Sequence, residues 1–168
     1  MEAKFGKFID SVGNFFTGGD HLPWCDPDVI VGCEREVAEA ETGNSDELRS
    51  ESIMRLSWAL VHSKRAEDVQ RGIAMLEASL PRSNSPLKVR EEIYLLAVGF
   101  YRSGNYSRSR QLVERALEIA PDWRQAWTLK KAIEDKITKD GVIGIGIAAT
   151  AVGLLAGGIA AALSTRKK

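Results

Sequence analysis

Apolar residues recur at intervals of three and four along most of the chain, the pattern of helices that turn one face inward. In residues 1–17, Phe5, Phe8, Ile9, Val12, Phe15 and Phe16 trace one such face, which Gly18-Gly19 closes. His21-Leu22-Pro23-Trp24 reads as an extended connector. A helix from Asp28 to about Glu41 would place Ile30, Cys33 and Val37 inward, and Thr42-Gly43-Asn44-Ser45 breaks it. Asn44, with Glu47 three residues on, suits a capping box for the next helix. Helices are then predicted over 46–64, 68–80, 87–103 and 106–120, parted by residues 64–67, by Pro81 to Pro86 and by Ser103-Gly104-Asn105. Asp122 and Gln125 suit a second box after Pro121, opening a last helix with Trp123, Trp127, Ala132, Ile133 and Ile137. No useful run alternates with the period of a strand. The fold class expected is all-α, a bundle of six or seven helices.

Residues 90–123 have the length of a 34-residue tetratricopeptide unit. Counting from Arg90, its characteristic sites hold Ile93, Leu96, Ala97, Phe100, Ser109, Val113, Ala116 and Pro121. Small residues at three of these sites let two antiparallel helices approach closely, and large ones fill the gaps. A more degenerate unit starts at Ile53 with Leu56, Ala59, Leu60, Ser63, Gly72, Leu76 and Ser79, its proline delayed to Pro86. Two repeats leave hydrophobic ends that need covers; the helices at 28–41 and after Pro121 are the candidates. In such stacks the first helix of each pair lines a concave side. That assigns a groove to Met54, Ser57, Val61, Lys64 and Arg65, then Glu91, Tyr94, Val98, Tyr101 and Arg102, suited to a peptide or helix segment. Tyr94 and Tyr101 are expected to be exposed there. Ser57 and Val61 stand where a two-carboxylate clamp would want Lys and Asn, so chaperone tails are not the expected partner.

The 23 residues from Gly141 to Leu163 carry no charged side chain, enough as a helix for a hydrocarbon core of about 30 Å. Gly141, Val142, Ile143, Ile145, Leu154, Leu155 and Leu163 mark this expected membrane span, and Arg166, Lys167 and Lys168 form a basic targeting tail. With five residues after it, the span would insert after translation and leave the body in the cytosol. Ala149, Gly153, Gly157 and Ala161 offer a small-residue line along which two copies could pair as a homo-oligomer. The expected organisation is an arm over 1–26, a helical domain over 27–140, the span over 141–163 and the tail over 164–168. Within the domain, repeats lie at about 53–89 and 90–123, with a capping helix over 122–140.

Charge narrows the function. The whole chain is formally neutral, and removing the three basic tail residues leaves 20 basic against 23 acidic ones in residues 1–140. No concentrated basic face points to nucleic acid. Cys25 and Cys33 suit a reducing compartment, and with His21 they match no common zinc spacing. Gly144-Ile145-Gly146 imitates a dinucleotide fingerprint inside the span, without the strand, helix and acidic residue that reading needs. No catalytic constellation, metal site or cofactor is expected. The Phe-rich arm has three readings: a further core helix, a strap over the groove, or a membrane-surface helix.

Several runs together resemble a known family. They are Ser63-Lys64, Arg71 to Glu77, Tyr94 to Tyr101, Gly104-Asn105-Tyr106, and Lys139 to Gly144 where the apolar run begins. In this order they resemble the mitochondrial fission protein 1 family over roughly residues 46–168. The resemblance implies a six-helix bundle with a mobile N-terminal arm, anchored in the mitochondrial outer membrane and in peroxisomes and facing the cytosol. It implies an adaptor, not an enzyme, whose partners are a dynamin-related GTPase or its adaptor proteins. A preprotein import receptor is the alternative, although Glu91 is the one acidic side chain among the ten groove positions. A Bax-like regulator shares the tail but not the repeat spacing.

Overall fold

Proline at a first helical position has its φ already set and no amide to leave unpaired. Pro27 starts α1 (Pro27–Thr42) and Pro86 starts α4 (Pro86–Arg102) in this way in the computed structural model, which describes residues 22–140. Between them run α2 (Asp46–Val61), α3 (Ala66–Ser79) and a short 3-10 turn, Leu80–Arg82. After them come α5 (Tyr106–Ile119) and α6 (Arg124–Asp140). The described residues thus form six α-helices and no strand, and each helix predicted within residues 22–140 is present to within a few residues. None of these helices is long and apolar enough to cross a membrane. The amphipathic pattern of residues 5–16, the span residues from Gly141 to Leu163 and the tail from Arg166 lie outside the described residues.

Two expected caps move by a residue or more. Ser45, not Asn44, caps α2, its Oγ accepting the Leu48 amide at 3.3 Å. The last helix begins at Arg124, too late for Asp122 to cap it, and Gln125 accepts instead from the Trp123 indole at 2.8 Å. The turn after α4 follows its residues closely. Gly104 takes the left-handed φ of +80° that a side chain would resist. The Asn105 amide then reaches Phe100 O at 2.9 Å and the Gly104 amide Tyr101 O at 3.1 Å, a Schellman closure.

Each helix packs chiefly on its neighbours in sequence: α1 on α2, α2 on α3, α4 on α5 and α5 on α6, with α3 against α4 joining the two pairs. The outer helices α1 and α6 cover the two ends, as the open sides of a short repeat stack require. Close approach comes from the small residues. Ala97, Ser109 and Ala116 are wholly buried, and Ser109 Oγ donates to Ala97 O at 2.6 Å across the second pair. Gly72 holds the place of Ser109 in the first pair, and a Cβ built there would stand 3.0 Å from Leu60 Cβ and 3.1 Å from Val61 N. Ion pairs tie the outer faces together, among them Arg71–Glu34 and Arg108–Glu77 at 2.8 Å. Exposed pairs of this kind contribute at most about 1 kcal/mol each.

The longer first repeat has a structural answer. Its additional residues make the 3-10 turn and the stretch to Ser85, and buried Glu92 holds that stretch in place. The Glu92 carboxylate accepts from Ser79 Oγ and Ser83 Oγ, both at 2.6 Å. Replacing Glu92 by Ala removes two charge-assisted bonds and strands two hydroxyls, so a loss of about 2 kcal/mol is expected. A urea midpoint equal to that of the parent would show that the clamp adds nothing.

Candidate partner-binding face

The first helices of the two pairs, α2 and α4, carry all the positions expected to line a groove except Lys64 and Arg65. The structure divides the positions into three groups. Ser57, Val61, Tyr94 and Val98 are buried, which corrects the expectation that they face an open surface. Ser57 Oγ donates to Ile53 O at 2.7 Å, while Val61, Tyr94 and Val98 belong to one core cluster with Leu22. Tyr94 was expected to be exposed; its ring instead lies 4.8 Å from that of Trp123, and burial pushes its phenol pKa up.

Met54, Tyr101 and Arg102 form the second group, half-buried at the edge of that cluster. Arg102 is less a rim cation than a fastening. One guanidinium nitrogen donates to Leu22 O at 2.8 Å and Pro23 O at 3.1 Å, and the group lies 3.4 Å over the Trp24 ring. Burial pushes its pKa down to about 10. The Cys25 amide completes the attachment by donating to His62 O at 2.8 Å. The extended connector therefore lies against the C-terminal ends of α2 and α4, a contact that helical periodicity cannot reveal. Substituting Tyr94 or Arg102 would disturb the fold as well as any docking.

Lys64, Arg65 and Glu91 are exposed. Arg65 Nε approaches Glu67 and Asp68 at 3.9 Å. Glu91 and Met54 line an open hollow of about 1350 Å³ between the start of α2, the end of α3 and the start of α4. Ile53, Met75 and exposed Leu87 add apolar wall, and Arg49, Arg82 and Lys88 add positive charge. Sequence reasoning missed Leu87, which stands just ahead of the assigned repeat positions. Trp123, named in the sequence only as part of the last helix, packs against α4 with Arg90 4.6 Å over its ring.

The two cysteines are packing residues in the structure. Cys25 is buried and Cys33 half-buried, both among Ile30, Leu56, Ala59 and Leu60. Burial, with Cys33 nearby, pushes the Cys25 thiol up to about 12, far from a reactive thiolate.

Residues 51–81 match the Fis1 N-terminal tetratricopeptide repeat and residues 90–142 the Fis1 C-terminal tetratricopeptide repeat. The chain is 69% identical over 170 residues to mitochondrial fission 1 protein A of Arabidopsis thaliana, covering 99% of this chain and 100% of that one. The chain belongs to the mitochondrial fission 1 protein family. Mitochondrial fission 1 protein B of Arabidopsis thaliana is 58% identical over 168 residues, 97% of this chain and 98% of that one. The mitochondrial fission 1 protein of Mus musculus is 38% identical over 114 residues, 66% of this chain and 74% of the mouse one. Saccharomyces cerevisiae Fis1 shares the fold, with a TM-score of 0.59 at 24% identity over 70% of this chain and 87% of the yeast chain. A second yeast Fis1 structure, solved in complex with an Mdv1 fragment containing N-terminal extension and coiled-coil domains, gives 0.60 at 24% identity over 71% and 90%. The two family repeats leave residues 82–89 between them, the stretch held by Glu92 and continued into the first turn of α4.

Proposed function

We propose that this chain is a mitochondrial fission adaptor that recruits dynamin-related GTPase machinery, directly or through a linker protein, to the outer membrane. The observation that carries the reading is its identity of 69%, over 99% of its length, with a relative named for mitochondrial fission. The yeast relative's complex with a coiled-coil fragment supports a helical segment as the kind of partner. Residues 141–163 would hold the domain on the membrane with its helices in the cytosol, and the same anchor would serve peroxisomes. There weak contacts gain from confinement to a surface and from many copies acting together. The protein would do no chemistry itself; the GTPase would do the mechanical work.

Within this reading the docking face is the accessible part of the groove, with Met54, Glu91 and Leu87 around the hollow and Lys64, Arg65 and Tyr101 further along. The test is the full chain carrying Met54→Ala and Glu91→Arg, checked for an unchanged urea midpoint. Recruitment of the GTPase to mitochondria is expected to fall about tenfold or more, with elongated organelles. Unchanged recruitment by the folded variant would sink the groove. Removing residues 141–168 should release the chain from membranes altogether. Presequence import measured in parallel should stay normal; competed import with unchanged organelle shape would instead favour a receptor.

A further inference from the structure

Residues 79–85 hold three serines with different surroundings. Ser79 and Ser83 spend their hydroxyls on Glu92. Ser85 is exposed, its backbone is extended at φ −100° and ψ 129°, and although it occupies the cap position of α4 its side chain makes no cap bond. Pro86, Leu87 and Lys88 follow it. No other serine or threonine in the chain precedes a proline.

Serine followed by proline, with a basic residue at the third position after the serine, is the substrate pattern of proline-directed protein kinases. Such enzymes bind an extended serine, place a ring that has no amide hydrogen beside it, and pair the later cation with their own acidic or phosphorylated groups. We infer that Ser85 is a phosphorylation site for a kinase of this class. In the reaction, Ser85 Oγ attacks the γ-phosphorus of ATP. A new O–P bond forms as the bond to the bridging oxygen breaks, ADP leaves, and the hydroxyl proton passes to the kinase's base.

Access requires that the first turn of α4 open. Opening it costs a few hydrogen bonds: Pro86 has no amide to give up and Leu87 is 62% exposed, but Val89 N–H to Ser85 O at 2.9 Å and the helical bonds accepted by the carbonyls of Pro86, Leu87 and Lys88 are lost. The Ser83–Glu92 bond keeps the preceding residues on the surface while this happens. Once attached, the phosphate brings between one and two negative charges at neutral pH. It would lie before the Leu87 and Lys88 amides, for which α4 supplies no backbone acceptor. The Arg82 and Lys88 side chains line the same hollow. Met54 and Glu91 line it too, so the modification would change the charge of the docking face. That last consequence rests on the groove reading, whereas the site itself does not.

The experiment incubates the full chain in detergent with a purified proline-directed kinase and ATP, and reads intact mass and fragment masses. One phosphate on Ser85 is expected. It should disappear with Ser85→Ala and fall strongly with Pro86→Ala or Lys88→Ala, each with a near-parental urea midpoint. The inference is overturned if Ser85 stays unmodified while a control Ser-Pro-Leu-Lys peptide reacts fully, or if incorporation survives Ser85→Ala. GTPase recruitment by the phosphorylated chain tests the regulatory part separately. Modification without a change in recruitment keeps the site and overturns its link to docking, whatever the Met54 and Glu91 variant shows.

Discussion

Gly72→Val is expected to destabilise the domain by about 3 kcal/mol, a large fraction of the roughly 5–15 kcal/mol that holds a domain of this kind folded. The first added carbon would already stand 2.8 Å from Val61 Cγ1, 3.0 Å from Leu60 Cβ and 3.1 Å from Val61 N. The first neighbour can rotate. The other two belong to the packed end of α2, where Leu60 and Val61 are wholly buried, so α2 and α3 must separate. Gly32 in α1 is the control, since a carbon added there meets nothing within 4 Å. Gly32→Ala should therefore raise stability by about 0.5–1 kcal/mol through helix propensity alone. Urea unfolding of both variants reads the contrast directly. A Gly72→Val midpoint equal to the parent's would disprove the close approach.

Acid should loosen the domain through His62. Burial pushes its pKa from 6.5 down to about 4; Arg102 adds to the shift and the bond to Trp58 O opposes it. The ring stacks on Trp58 at 4.1 Å between centroids and meets Trp58 O through Nδ1 at 2.7 Å. Because the folded state binds the proton less readily than the unfolded chain, this contribution is fully present above pH 6.5. It declines as pH falls, reaching a loss of about 3 kcal/mol near pH 4. Urea titrations of the full chain in detergent at pH 7, 5.5 and 4 should show this, with a shallower dependence in His62→Phe. Identical slopes for parent and variant over that interval would remove His62 as the cause.

Much of the fold was legible because its punctuation is local. Pro27, Pro86, Asn105 and Gly104 act within one turn of where they stand, and the small residues of the repeat report a contact between adjacent helices. The candidate binding face was less legible, because assigning groove positions by repeat number presumes an unobstructed concave side. Here Arg102 bonds to Leu22 O, 80 residues away in sequence, and no spacing encodes that contact. The same limit applies to the neighbouring acids Glu91 and Glu92. One is exposed and the other is buried under two serine hydroxyls, and the difference depends on how a loop returns over α4.

The packing of each helix chiefly on its neighbour in sequence also has a kinetic consequence. Helical domains dominated by such local contacts fold in microseconds to milliseconds. A ribosome adding roughly 5–20 residues per second needs about a second or more to complete the 23-residue apolar run that follows. The helices already clear of the ribosome therefore have time to pack while that run is being made. On the proposed anchoring, what would reach the bilayer is a folded body trailing an apolar segment, and a body that has already closed would stay on the side where it was made.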